Sequence, residues 1–293
     1  LGWLTAGLPR KLSSLRADVL FSFANVGVAF CPIPKVVYCQ QSLAIYSGTQ
    51  QYLGKWMRLK MALLRRLILR GCNSSQAVIV QTESMRQELL RLDSGLADRI
   101  RVIPAGWSEA EGVSPIAPDG WETAAAGCAP RLVFVSQHFG YKNHETLLRA
   151  LPKIAEAFPC VRLFLTIDSP QGRNGRAGSG DILGRLIVQL GIEQRVTFLG
   201  TIPHEQVQLV LSQADVQVFP SFAESFGLPL LEAMVVGCPL VAADLPYARE
   251  VAGESAVYFP VSDPELLADA VIRVLEDEGL RAELARQGPL RAG

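Results

Sequence analysis

Short runs of β-branched and aromatic residues alternate with longer stretches of helix formers from residue 17 to about residue 278. No other feature restricts the fold as much. Strands that alternate with helices are covered on both faces and assemble into parallel sheets. In the first part, ADVLFSF (17–23), KVVYC (35–39), AVIVQT (77–82) and RIRVIPAG (99–106) read as strands. Residues 49–70 hold one Gly and no Pro and read as a single long helix; ESMRQELLRL (83–92) reads as another, capped by Thr82. Over 108–130 the rhythm stops in a Pro-, Gly- and Ala-rich stretch. This places a linker at 116–130, between a domain over 1–115 and a second over 131–293. In the second domain, strands are expected at 131–136, 161–167, 195–200, 216–221, 239–243 and 256–260. Helices are expected at 144–158, 181–191, 204–214, 229–237 and from Pro264 to about Glu278, with a Gly/Arg-rich loop at 169–180. The expected fold is α/β: two Rossmann-like domains with parallel sheets facing across a cleft, where ligands bind at the carboxyl ends of strands.

Composition narrows the chemistry. The 293 residues are 49% hydrophobic, enough for two cores. Lys and Arg number 28, as do Asp and Glu, so no global field favours nucleic acid. The balance is uneven along the chain. Between Asp18 and Glu83 there is no acidic residue, yet Lys35, Lys55, Arg58, Lys60, Arg65, Arg66 and Arg70 all lie there. Cys31, Cys39, Cys72, Cys128, Cys160 and Cys238 form no CxxC pair and no His clusters beside them, which points away from zinc and redox sites and toward a reducing, cytoplasmic setting. No apolar run reaches the roughly 20 residues of a membrane span. LGWLTAGLPRKL lacks the basic start of a signal peptide, and without an initiating Met the chain reads as a fragment.

The most informative stretch is FPSFAESFGLPLLEAMVVGCPLVAAD (219–244). A strand ends in a loop holding Glu224, Ser225, Phe226 and Gly227; Pro229 opens a helix and Gly237 closes it. The amides of Phe226, Gly227 and Leu228 then stand at a helix start, where amide donors and the helix dipole attract a diphosphate. Gly227 lets a ligand approach the backbone. Glu232, expected in the first helical turn, and Glu224 before it are acceptors for hydroxyls: a ribose diol for Glu232, a sugar hydroxyl for Glu224. Taken singly, Glu232 could merely complement the dipole and Glu224 could merely be solvated. Their combination with Gly and Pro at one junction is what points to a ligand.

ESFGLPLLEAM (224–234), with seven residues between its glutamates, resembles the E-x7-E signature of retaining glycosyltransferases of the GT-B fold, family 4 or group 1. VVGCPLVAADLPYAREVAGESAVYFPVSDPELLADAV resembles the family's continuation, and QAVIVQTESMRQELL with RIRVIPAG its earlier part. VSQHFGYKNHETLLRAL (135–151) is similar to the segment that carries an Arg and a Lys for the donor diphosphate. Lys142 matches the Lys, and Gln137 stands where the Arg is expected, with Arg173 or Arg176 as possible compensation. In FLGTIPHEQV (198–207), Thr201 and Ile202 match the loop that lies against the base; the plain alternative is a strand–helix connector. His138 and His204 read as surface residues or caps.

The resemblance implies transfer of a hexosyl unit from a GDP- or UDP-linked sugar to a glycan or lipid-linked acceptor, with retention and without a metal or further cofactor. Polysaccharide or lipopolysaccharide biosynthesis is the expected setting. Glu224 and Lys142 are the catalytic candidates, with Lys142 and the helix amides stabilising the leaving diphosphate. The alternatives are a sugar-nucleotide epimerase or hydrolase and a non-catalytic binder. The family's Gly-rich loop after its first strand has no counterpart here and is expected before residue 1, leaving the N-terminal domain incomplete. VVYCQQS has Gln40 and Gln41 where a His is common. The basic helix 49–70 suggests peripheral contact with the inner face of an anionic membrane, against the alternative of an ordinary sheet-packing helix.

Overall fold

The computed structural model describes residues 7–23, 25–28, 31, 33–107, 116–118, 121–122, 130–169 and 180–293. They cluster into two compact units. One comprises Leu1–Gly106 with Ala223–Phe226, the other Trp107–Phe222 with Gly227–Gly293. Most of the expected linker, together with Cys128, Arg173 and Arg176, lies outside the described residues.

In chain order, the first unit holds α1 (Leu8–Ser14), β1 (Leu20–Ser22), β2 (Lys35–Tyr38), α2 (Ser42–Ile45), α3 (Lys55–Asn73), β3 (Ala77–Val80), α4 (Glu83–Leu92) and β4 (Ile100–Val102). Its strands form one parallel sheet in the order β1-β2-β3-β4. Val37, Val78 and Ile100 from the strands are buried with Ile68, Met85 and Leu89 from α3 and α4. Thr82 caps α4 as expected, its hydroxyl accepting from the Met85 amide at 3.2 Å.

The expected single helix over 49–70 is two elements. Ser47–Tyr52 form a 3₁₀ turn, Leu53 and Gly54 are extended, and α3 begins at Lys55. Thr49 explains the break. Its hydroxyl donates to the carbonyls of Tyr46 at 2.8 Å and Leu43 at 3.2 Å, competing with a helical backbone.

The second unit holds β5 (Arg131–Phe134), α5 (His144–Ala157), β6 (Arg162–Leu165), α6 (Gly180–Leu190), β7 (Val196–Phe198), α7 (His204–Ser212), β8 (Val216–Phe219), α8 (Leu228–Val235), β9 (Leu240–Ala243), α9 (Pro246–Ala252), β10 (Val257–Phe259), α10 (Pro264–Glu276) and α11 (Glu278–Ala292). Among the described residues its sheet has six parallel strands in the order β10-β9-β8-β5-β6-β7. Numbered within the unit, that is the 3-2-1-4-5-6 order of a doubly wound sheet, with its reversal between β5 and β8. Both α/β units with parallel sheets agree with the GT-B architecture expected from the sequence. The strands of β8 and β9 are buried at every position, as two-sided cover requires. The last expected helix stops at Glu276, because Asp277 caps a new one, accepting from the Leu280 amide at 2.9 Å.

Candidate functional site

The reversal of strand order leaves the loops after β5 and β8 beside each other at the carboxyl ends of adjacent strands. The backbone joins them: the Phe222 amide donates to the Tyr141 carbonyl at 2.8 Å. Asn143 fastens the same corner. It is buried, its Nδ2 donates to the carbonyls of Pro220 at 3.0 Å and Val261 at 2.8 Å, and its Oδ1 accepts from Thr146 at 2.7 Å. Its φ of 58° is left-handed, a conformation Asn tolerates better than other side chains. That tolerance is the signal in the sequence for Asn143, which follows Lys142 in the matched segment.

At the β8–α8 junction Gly227 is the N-cap of α8, with φ 91° and ψ 55°. A Cβ there would stand 3.1 Å from Leu230 Cδ1. Close ligand approach is therefore a secondary reason for glycine; the backbone itself demands it. The turn starts the helix at Leu228, one residue before the expected Pro229, which takes the second position. Among the described residues the amides of Phe226, Gly227 and Leu228 have no acceptor within the chain, and Pro229 has no N–H to satisfy. The Leu230 amide is already taken, donating to the Gly227 carbonyl at 2.8 Å. Gly237, with φ 69°, ends the helix in the expected left-handed conformation.

The early start corrects the place of Glu232. It is the fifth residue of α8, and no acidic residue lies in the first turn. Dipole complementation, which fades within that turn, is thereby weakened as its explanation. The side chain is only 13% exposed, and its Oε1 lies 3.3 Å from Nδ1 of His204 at the start of α7. Burial raises the Glu232 carboxyl above its usual value, and His204 pulls the other way. His204 was expected to be a surface residue or cap. It is exposed, but it also faces Glu232.

Lys142 is buried in a 3₁₀ turn ahead of α5, its Nζ 5.2 Å from the Tyr141 ring centroid and 6.0 Å from that of Phe219. Gln137 is exposed. So is Thr201, while Ile202 is half-buried. Glu224 and Ser225 are half-buried and Phe226 is buried. Beneath the Lys142 turn lies a polar pair the sequence reading missed: Ser136 Oγ and His144 Nε2, 3.0 Å apart and both buried. Burial, helped by His138 and Lys142, holds the His144 imidazole down at about 3, so it is neutral. The Ser136 amide donates to Thr166 Oγ1 at 2.9 Å, tying the loop to the end of β6.

This geometry places anion-seeking amides and a half-buried carboxylate at the start of α8 and in its second turn, and a buried ammonium in the loop after β5, at one switch point. Known proteins resemble this chain in sequence and fold. The model of Glycosyl transferases group 1 matches residues 121–291, and that of Glycosyltransferase Family 4 matches residues 1–110. D-inositol 3-phosphate glycosyltransferase of Corynebacterium jeikeium is 30% identical over 230 residues, covering 75% of this chain and 54% of that protein. The Nocardia farcinica protein of the same name is 32% identical over 226 residues, covering 73% and 47%. The chain thus spans about half the length of these curated relatives. Among solved structures, Anabaena HepE in complex with UDP and glucose superimposes with a TM-score of 0.75 at 21% identity, over 100% of this chain and 78% of that one. WaaG, a glycosyltransferase involved in lipopolysaccharide biosynthesis, gives 0.74 at 18% identity, over 97% and 76%.

Proposed function

This chain belongs to the Glycosyl transferases group 1 family, and we infer that it takes a hexosyl unit from a nucleotide-diphosphate sugar and moves it to a glycan or lipid-linked acceptor with retention of configuration. One observation supports this above the rest. Among the described residues the amides of Phe226, Gly227 and Leu228 stand without acceptors at the start of α8, one turn from the half-buried Glu232. A diphosphate satisfies those amides and the helix dipole together. Glu232, desolvated and on the same helix, accepts from a ribose diol. Glu224, in the loop ahead of the helix, accepts from a sugar hydroxyl.

Chemistry follows from where charge develops. As the glycosidic bond to phosphate breaks, negative charge grows on the leaving diphosphate. Fixed amides and the Lys142 ammonium stabilise that charge without reorganising. No side chain is assigned as a nucleophile: the acceptor hydroxyl attacks the face the diphosphate leaves, and a leaving phosphate oxygen takes its proton. Thr201 and Ile202 contact the base. UDP binds one structural relative, HepE, and a uridine donor is accordingly the first to try.

Titration of the chain by calorimetry with UDP- and GDP-linked hexoses tests the reading. Binding is expected for one base and lost at least tenfold in Glu232→Ala. With a matched acceptor, NMR of the product should report the donor's anomeric configuration. Equal binding by wild type and Glu232→Ala would sink the site; an inverted product would sink the stereochemistry alone.

A further inference from the structure

Helix α3 presents two opposed faces. Met61, Ile68 and Cys72 are buried in the core of the first unit. Arg65 lies on that same side, its Nε donating to the Ala44 carbonyl at 2.5 Å. At about 100° per residue, Trp56, Leu59 and Leu63 fall on roughly the opposite side, and Arg66 and Arg70 continue their line. Trp56 is 82% exposed, Leu59 61% and Leu63 58%. One exposed leucine needs no explanation. A tryptophan and two leucines in register at i, i+3 and i+7 form a stripe, and stripes of this kind mark interaction surfaces.

The charges around the stripe have one sign. No acidic residue occurs from 19 to 82. Lys55, Lys60, Arg66 and Arg70 are exposed, and among the described residues none has an acidic partner. At the end of the helix, Arg66 and Arg70 line an open depression of about 690 Å³ with Leu69, Asn73 and Ser74. The complementary surface must therefore be negative at the rim and apolar just beneath. An anionic bilayer offers that combination over its whole area, with phosphates above acyl chains. Trp56 suits the boundary, since indole is apolar in body with one polar N–H. Among the described residues no helix is long and apolar enough to cross a membrane, so a bilayer would be met from its surface.

We propose that α3 lies in the interface of an anionic phospholipid membrane. Trp56, Leu59 and Leu63 enter the headgroup–acyl boundary, and Lys55, Lys60, Arg66 and Arg70 meet the lipid phosphates. None of these residues belongs to the donor site, and the proposal stands independently of the donor reading.

Flotation of the full chain with vesicles tests it. Vesicles of phosphatidylglycerol and phosphatidylcholine should bind the protein, and vesicles of phosphatidylcholine alone far less. The triple variant Trp56→Ser, Leu59→Ser, Leu63→Ser should lose at least tenfold in partitioning at any salt. Arg66→Gln with Arg70→Gln should lose about fivefold per cation removed, most clearly at low salt. All these positions face solvent, so both variants should keep the wild-type circular dichroism melt and the wild-type response to nucleotide sugar. Failure of the vesicle arm with an intact nucleotide response would overturn the membrane proposal alone. Absence of anionic vesicle binding overturns it, as does equal binding by the triple variant. A concentration-dependent dimer, seen without lipid and abolished by the triple substitution, also overturns it, by showing that a second copy covers the stripe.

Discussion

Gly227 shows how much one residue can hold at this site. Its φ of 91° is open to glycine, and a Cβ would also press on Leu230 at 3.1 Å. Gly227→Ala should lose about 1–3 kcal/mol of stability, measured by urea denaturation. It should also weaken donor binding beyond what stability explains, because relief of the strain turns the Gly227 and Leu228 amides. Unchanged binding in a destabilised variant would mean those amides do not hold the ligand.

Buried His144 and half-buried Glu232 give opposite pH dependences. His144 is neutral in the fold, down at about 3 from its usual 6.5. The unfolded chain takes up its proton first, so this contribution is fully present above pH 6.5 and is lost as pH falls toward 3. At pH 4.5 the loss is on the order of 3 kcal/mol, two pKa units' worth. A His144→Asn variant should therefore show a flatter stability curve between pH 6.5 and 4.5, whatever its absolute stability. Glu232 goes the other way. Burial raises its carboxyl above 4.5, so the fold holds the proton more tightly than the unfolded chain. The stability this gives is present below 4.5 and is lost as pH rises through the raised value. Unliganded Glu232→Gln should then gain on wild type between pH 4 and pH 7, while losing donor binding. Thermal midpoints across that range decide it; a difference independent of pH would contradict the assigned desolvation.

Elements differ in how openly the sequence declares them. Strands buried on both faces, such as VQVF before the site loop, stand out as unbroken apolar runs, and β8 falls within the expected span. Helix α8 was legible through its ends, Gly227, Pro229 and Gly237, although a left-handed N-cap shifted its start and moved Glu232 out of the first turn. Four- and seven-residue helices such as α2 and α9 are too short for a 3.6-residue pattern to register. Helix α11 was hidden by Pro289 within it. The placement of Glu224, Lys142 and the helix amides at strand–helix junctions was legible because it is local in the chain. The His204–Glu232 contact was not, since it joins residues 28 positions apart through the packing of α7 beside α8. The packing of α11 on α8 is equally non-local. A Cβ on Gly288 would lie 2.8 Å from the Met234 carbonyl oxygen of α8, backbone that can yield only by moving the helix. Gly288→Ala should lose about 1–3 kcal/mol and lower donor affinity from a position remote in sequence from every site residue. Calorimetry on the folded variant would show whether the affinity falls with the stability.

At the scale of the molecule the described residues form two sheets that share no strand and two sets of core residues, one around Val37, Ile68 and Met85, the other around Leu132, Phe164 and Val241. A chain built this way need not unfold in one step. The proposed donor groups Lys142, Gly227, Leu228 and Glu232 all belong to the unit that contains the six-stranded sheet. A ligand that binds only the native form at a hundred times its dissociation constant stabilises that form by about 2.7 kcal/mol. For a unit of this size the expected rise is about 5–10 °C. Scanning calorimetry with and without nucleotide sugar can therefore assign the transitions. Ile68→Ala removes a buried side chain from the four-stranded unit and should lower its transition at a cost of about 2–5 kcal/mol. If the units melt separately, the transition that nucleotide sugar raises should be the one Ile68→Ala leaves in place. If both perturbations move a single transition by the amounts expected from their free energies, the two cores unfold together.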